Sequence, residues 1–367
     1  MNPDLFIVGG GPAGLAAAIA ASRAGLSVVV SDTARPPIDK ACGEGLLPAS
    51  IEALSSLGLD LSLVESFPLH GIRFLGSTSP QAAFSQATGL GIRRTVLHSL
   101  LLQYAEAAGV RFVWNSTFRG IQGSSVLLDG RSIHPKWIVG ADGYNSQVRL
   151  SAGLDRQSIR SRRLGLRQHF HATPWSHFVE VYWGKQAQAY VTPVADDEIC
   201  VAIVSRHKLP PFPVALASFP SLVDRLKNAS PSDSPRGHLT QDFSLRRVTA
   251  GNIALIGDAS GSVDAITGEG LALAFRQAIA LSHALSKNNL GLYEAAHREI
   301  VHLPHMMSQA LLLMDIFPRL RDRALTAFHH QPSLFHSMLA LHVSNSPPRL
   351  FGRNGIFDLG SKLLLAR

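Results

Sequence analysis

Two cysteines, Cys42 and Cys200, are all that 367 residues carry. They stand too far apart for a disulfide framework and lack the Cys-x-x-Cys spacing of a metal clip. That scarcity fits a reducing, cytoplasmic setting. Charge is scarce as well. Charged side chains make up 16% of the chain against 46% hydrophobic, which excludes a disordered polyelectrolyte and points to a globular chain with a large buried volume. No basic start precedes the first apolar stretch, and five glycines interrupt it between Gly9 and Gly25. Neither a signal peptide nor a spanning helix is therefore expected there. No repeat of solenoid or propeller period occurs. Lysine and arginine exceed aspartate and glutamate by 34 − 26 = 8. No recognition helix, zinc motif or basic tail accompanies that surplus, so nucleic acid is not an expected partner. The excess reads as solvated arginines and attraction for anionic cofactors.

What is present begins at once. Leu5-Phe6-Ile7-Val8 is an apolar strand and Gly9-Gly10-Gly11-Pro12-Ala13-Gly14 a glycine turn. A small-residue helix runs from Leu15 to Gly25, and a second strand, Leu26 to Ser31, ends on Asp32. Gly9 permits the tight turn, Gly11 lets backbone approach a pyrophosphate, and Gly14 lets the helix close on the sheet. The helix N-terminus offers unpaired N–H groups to phosphate. Asp32 stands where a carboxylate grips ribose hydroxyls. The unit binds a dinucleotide; alone it leaves NAD and FAD undecided.

Two more strand ends run into glycine turns. Lys136-Trp137-Ile138-Val139 meets Gly140-Ala141-Asp142-Gly143, and Gly251 to Ile256 meets Gly257-Asp258. Gly268-Glu269-Gly270 then opens a long helix reaching about Leu285. Earlier, Leu97, Leu100, Leu101, Tyr104 and Ala105 recur at helical spacing. From about Arg156 to Thr240 the pattern is consecutive strands, with Asp196-Asp197 at a hairpin turn, followed by a helix from about Val214 to Asn228. Beyond Leu290 the chain reads as helices broken at Pro304, Pro318, Pro332 and Pro347-Pro348.

The three motifs together resemble the fingerprints of flavoprotein monooxygenases of the p-hydroxybenzoate hydroxylase-like group. That group also holds flavin-dependent halogenases and geranylgeranyl reductases. The resemblance covers roughly residues 1–290. It implies an α/β fold: a Rossmann-like FAD-binding domain from residues 1–66, 92–155 and 241–290. An antiparallel-sheet substrate domain of α+β character would come from 67–91 and 156–240, with a helical region at 291–367. It also implies FAD as resident cofactor. Gly9, Gly11, Pro12, Ala13, Gly14 and Asp32 would serve the AMP half, and Arg94 the phosphates. Asp142 would lie in the second fingerprint near the pyrophosphate, with Gly257 and Asp258 at the ribityl chain. Gly268, Glu269 and Gly270 would meet the flavin ring, where a helix N-terminus stabilises negative charge on the reduced N1/O2 edge. No second complete glycine unit exists. NAD(P)H is thus expected as a transient electron donor in the same groove, unless a partner reductase supplies the electrons.

The activity implied is that of an FAD-dependent oxidoreductase. The first reading is a monooxygenase that oxygenates an apolar or phenolic small molecule through a flavin C4a-hydroperoxide. The alternative is a geranylgeranyl reductase-like enzyme reducing alkene bonds of an isoprenoid or lipid. Lys40 to Gly45 and Ile266 to Gly270 resemble that branch, and Gly257 to Gly261 lacks the histidine common in aromatic hydroxylases. Cys42 or Glu44 would then be candidates to supply a proton. Against this, Ala265 replaces the branch's usual proline, and its Tyr-x-Trp-x-Phe-Pro motif is only echoed by Tyr190 to Pro193. The Trp-x-Trp-x-Ile-Pro signature of halogenases does not occur. A third reading is a noncatalytic or membrane-associated flavin binder, with the basic, partly amphipathic Phe351 to Arg367 lying on a membrane surface. Phe170, Tyr182, Trp183, Tyr190 and Pro193 mark the expected substrate floor. Because alternate side chains of a strand face opposite ways, Tyr182 and Trp183 cannot both line a pocket; Tyr190 and one of the two are expected to. His329, His330, His336 and His342 lack ligand spacing, so no metal is expected.

Overall fold

A computed structural model describes residues 2–85 and 87–343. The expected membrane segment 351–367 and the break at Pro347-Pro348 lie outside these residues. In chain order the first elements that position the site are β1 (Leu5–Val8), α1 (Pro12–Arg23), β2 (Val28–Ser31), α2 (Pro48–Ser56) and β3 (Gly71–Leu75). Next come α3 (Arg94–Ala107), β4 (Arg111–Val113), β5 (Trp137–Gly140), β6 (Gln157–His171), β7 (Phe178–Trp183) and β8 (Ala187–Ala195). They are followed by β9 (Glu198–Ser205), β10 (Arg236–Leu245), β11 (Ile253–Leu255), α4 (Gly270–Ser286), α5 (Leu290–Ile316), α6 (Pro318–His330) and α7 (Pro332–Val343).

The first sheet has the order Thr249–Ala250, β11, β5, β1, β2, β4 and is parallel apart from the edge pair. Every residue of β1, β2 and β5 is buried. Helices cover both faces of such a sheet, so its strands read as unbroken apolar runs. The helices are also tied to one another: the Ser282 hydroxyl of α4 donates to the Ala20 carbonyl of α1 at 2.9 Å.

The second sheet has the order Gly261–Ser262, β10, β6, β9, β8, β7, β3, Gln81–Ala83, with β3 and β7 the one parallel pair along it. It reaches further than the expected boundary at residue 240. β10 continues to Leu245 because the fifteen-residue β6 goes on pairing with it, Ser161 opposite Asp242 and Ile159 opposite Phe243. Gly261–Ser262 then adds a short edge strand against Phe243 and Ser244. The helix expected from Val214 to Asn228 is two short ones, Phe212–Leu216 and Pro220–Arg225, since Pro220 begins a new turn. In contrast, Pro304 does not break α5. It lies buried inside a 27-residue helix whose packing outweighs the missing N–H.

α5, α6 and α7 fold back over one face of the second sheet. Phe335 of α7 stacks between Phe74 of β3 at 4.8 Å and Phe328 of α6 at 4.9 Å. α5 and α6 meet at a bend of 112°, and no single helix among the described residues is long and apolar enough to cross a membrane.

Candidate active site

A cavity of about 360 Å³ opens where the C-terminal ends of the parallel strands meet the face of the second sheet. That is where open α/β sheets bind ligands. Its polar end is built from the glycine turn. Gly9 has φ +111°, and a Cβ on Gly14 would run into the Gly9 carbonyl. Gly11 has open space around it, and α1 begins at Pro12 with no side-chain cap, so its first N–H groups are free. Asp32 braces the turn: Oδ2 accepts from Gly10 N at 2.7 Å and Oδ1 from Ala34 N at 2.8 Å. Gly11, Pro12, Ala13, Arg94, Gly257 and Asp258 all line this end, with Lys40 and His238 beside them. The Arg94 Nε is buried and lacks a partner. Burial pushes the His238 imidazole pKa down, and Lys40 and Arg94 add to that. Asp142 stands apart. It accepts from Ser146 Oγ at 2.5 Å and from the amides of Gln147 and Val148, so it braces the start of the short helix Gln147–Ser151, whose N-cap residue is Ser146, while Ala141, Gly143 and Tyr144 line the cavity. An uncapped helix start, a glycine with room around it, an orphaned guanidinium nitrogen and a carboxylate at a strand end suit a pyrophosphate joined to a polyol.

The other end is apolar. One face of the sheet supplies Ile72, Phe74, Val179, Val181, Trp183, Tyr190, Ala202 and Val204. Met307 and Leu311 of α5 and Phe335, Met338 and Leu339 of α7 roof it. The period of two separates the expected floor residues. Trp183 and Tyr190 line the cavity. Tyr182 points through the sheet, where its hydroxyl donates to Glu180 at 2.8 Å, and Phe170 packs in the same far-side cluster. Pro193 also lies on the far side, in a shallow groove with Trp175 and Glu180. These three are corrections to the expected floor, and their cause is strand alternation alone. The Tyr190 hydroxyl donates to Gln188 at 2.7 Å, and burial pushes its ionisation well up.

The family model described as FAD binding domain matches residues 3–291. The chain belongs to that family. FAD is its cofactor, and it is an FAD-dependent oxidoreductase of the p-hydroxybenzoate hydroxylase-like superfamily. It is 28% identical to the menaquinone reductase of Mycobacterium tuberculosis over 304 residues, covering 74% of this chain and 73% of that protein. It is also 28% identical to the ubiquinone hydroxylase UbiL of Rhodospirillum rubrum over 403 residues, covering 95% and 92%. In structure it is similar to a flavoprotein/dehydrogenase from Cytophaga hutchinsonii, with TM-score 0.84, 17% identity and coverage of 99% and 98%.

Three polar clusters complete the site of this flavoprotein. At the α4 N-terminus, Gly268 holds φ +67° and Glu269 is the N-cap residue. Glu269 Oε2 faces His342 Nδ1 of α7 at 3.4 Å, and His342 Nε2 donates to the Thr267 carbonyl at 2.7 Å. Burial raises the Glu269 pKa, against the pull of His342 and Arg276. Both Oε2 and Nδ1 are buried and lack a hydrogen-bond partner. The second cluster lies behind the 42–45 segment. Glu44 sits at φ +60°, is buried, and accepts from Arg94 N at 2.9 Å and faces His169 Nε2 at 2.5 Å. Glu44 therefore fixes the start of α3 with both oxygens engaged, and it lines the cavity wall together with Cys42. Asp233 faces His169 Nδ1 at 2.8 Å. Burial opposes its ionisation, but the His169 amide and ring and Arg167 outweigh that and lower its pKa. Glu44, His169 and Cys200 bring three donor atoms within 4.8 Å. The guanidinium groups of Arg167 and Arg93 already stand 2.8 and 3.2 Å from His169 Nδ1, so arginine supplies the compensating positive charge. Third, buried Arg163 pairs with Asp264 at 2.9 Å and bonds Gln188 at 2.9 Å, directly beneath Tyr190.

Sequence reasoning missed Lys40, His238 and the whole roof. Phe335, Met338, Leu339 and His342 follow the i, i+3, i+4, i+7 spacing of one helical face, which announces a buried stripe without saying what it covers.

Proposed function

We propose that this flavoprotein hydroxylates a ring compound of quinone type, drawing electrons from NAD(P)H. The observation that carries the reading is one cavity with two ends: a glycine-lined polar end continuous with an apolar chamber. The names of relatives that act on menaquinone and ubiquinone support the substrate class. In this reading Asp258 holds the ribityl chain, Arg94 and the free N–H groups of α1 hold the pyrophosphate, and Gly268 to Gly270 lie at the ring end. Bound FAD supplies electron transfer and the activation of oxygen. The protein's own part is position and dryness. Trp183 and Tyr190 flank the flat substrate, Met307, Leu311 and Met338 exclude water above it, and Glu269 and His342 present unpaired polar atoms at the α4 N-terminus.

A second reading is reduction of an alkene bond on a lipid-like substrate, supported by Cys42 in the cavity wall with its sulfur accepting from Glu44 N at 3.4 Å. Glu44 is the poorer proton donor because both its oxygens are engaged. Rapid mixing of the FAD-loaded protein with NADPH and with NADH, with and without alkylated naphthoquinones, tests both. Bleaching of the flavin with substrate-dependent oxygen uptake and an oxygenated product supports hydroxylation. Anaerobic alkene reduction without oxygen uptake would replace it with the second reading. No bleaching by either nucleotide would overturn NAD(P)H as direct donor.

A further inference from the structure

The end of α5 exposes apolar side chains that none of the other described residues covers. Leu313, Ile316 and Phe317 are 46, 43 and 53% exposed; Leu313 and Ile316 stand one turn apart, and Phe317, the C-cap residue whose amide donates to the Leu313 carbonyl, sits with them at the helix end. They make up three of the ten large hydrophobic side chains exposed among the described residues, and they are clustered within five positions. The patch lies at the elbow where the chain turns by 112° into α6. The acid within it is turned inward: Asp315 bonds Gln188 at 3.0 Å and pairs with Arg206 at 2.9 Å. Around the patch the exposed charges are mainly basic. Arg319 and Arg323 lie one turn apart on the outer face of α6, and Arg206, paired with Asp315, reaches the patch from the loop after β9. The exposed acid beside them is Asp322, 3.8 Å from Arg321.

We propose that this elbow docks on an anionic lipid bilayer, with Leu313, Ile316 and Phe317 in the acyl boundary and the arginines at the lipid phosphates. An apolar patch ringed by cations is the pattern of interfacial membrane binding. Three exposed side chains fall short of the ~800 Å² per partner that a stable protein interface takes. The opposite face of the same helix places Met307 and Leu311 in the cavity roof, so one element links the bilayer contact to the apolar chamber. The docking itself does not depend on which reaction the chamber performs.

Co-sedimentation of the FAD-loaded full chain with vesicles tests it, comparing phosphatidylcholine alone with a 3:1 mixture of phosphatidylcholine and phosphatidylglycerol. The protein should partition onto the anionic vesicles and release with salt. The double variants Ile316→Ser with Phe317→Ser, and Arg319→Gln with Arg323→Gln, should each lose at least about tenfold in partition. All four positions are exposed, so flavin content and melting temperature should stay unchanged and report intact folding. Failure to sediment with either vesicle overturns the proposal. So does undiminished binding by both variants, which would put the contact elsewhere on the chain. A concentration-dependent dimer that Phe317→Ser dissolves would instead assign the patch to a second copy.

Discussion

Asp258 and His297 show how differently single side chains serve this protein. Asp258 lines the polar end of the cavity in a turn after β11. If it holds a hydroxyl of the cofactor, Asp258→Ala removes a charge-assisted hydrogen bond of about 1.5–3 kcal/mol, or roughly 10–100-fold in affinity. Flavin absorbance after gel filtration should fall accordingly, and full occupancy in the variant would remove Asp258 from the cofactor site. His297 is a different case. It is buried on α5, 3.0 Å from Ser260 Oγ, and burial pushes its pKa from 6.5 down to about 4. The unfolded chain therefore takes up the proton first, and stability is lost as pH falls from about 6.5 toward 4. The loss is about 2 kcal/mol at pH 5. Denaturant unfolding at pH 7 and pH 5 should show wild type losing its margin over His297→Gln by that amount, and an unchanged margin would place the imidazole in contact with water.

At the level of elements, period and punctuation were legible and partnership was not. β1, the glycine turn and α1 could be read from residues 5–25 because each glycine there answers a local steric demand. The alternation rule separated Tyr182 from Trp183 but could not choose between them, since the choice rests on which face α5 to α7 cover. β10 overran its expected end because a strand stops where its partner stops, and β6 is encoded some eighty residues earlier. Proline punctuation worked at Pro318 and Pro332, where it coincides with helix starts, and failed at Pro304, where tertiary packing overrides it. The roof illustrates what long-range packing adds. Phe335 is fully buried in a stack of three rings that joins α7 to α6 and β3. Phe335→Ala should cost about 3–5 kcal/mol in denaturant unfolding. It should also weaken binding of apolar ring compounds to the flavin-loaded protein, followed by flavin absorbance. Loss of stability with unaltered ligand binding would separate the roof from the site.

Across the whole molecule, buried polar pairs tie the second sheet to the loops that line the cavity. From β6, Arg167 reaches Asp39 and Arg163 reaches Asp264, while His169 faces Glu44. All three acids sit on loops that carry cavity-lining backbone. Such pairs contribute little net stability compared with apolar packing, because desolvation offsets their attraction, but breaking one strands a charge. Arg163 and Asp264 are both fully buried. Asp264→Asn should therefore destabilise by about 3–5 kcal/mol, and pairing it with Arg163→Met should recover much of that loss. Asp264 also caps the turn at Ala265–Thr267 immediately before the α4 N-terminus. A displaced turn moves the loop expected at the flavin ring, so cofactor release and unfolding should fall together in Asp264→Asn, as one thermal transition seen by both flavin fluorescence and circular dichroism. Flavin release well below an unshifted unfolding transition would mean that the pair serves only the cofactor loop and does not support the fold as a whole.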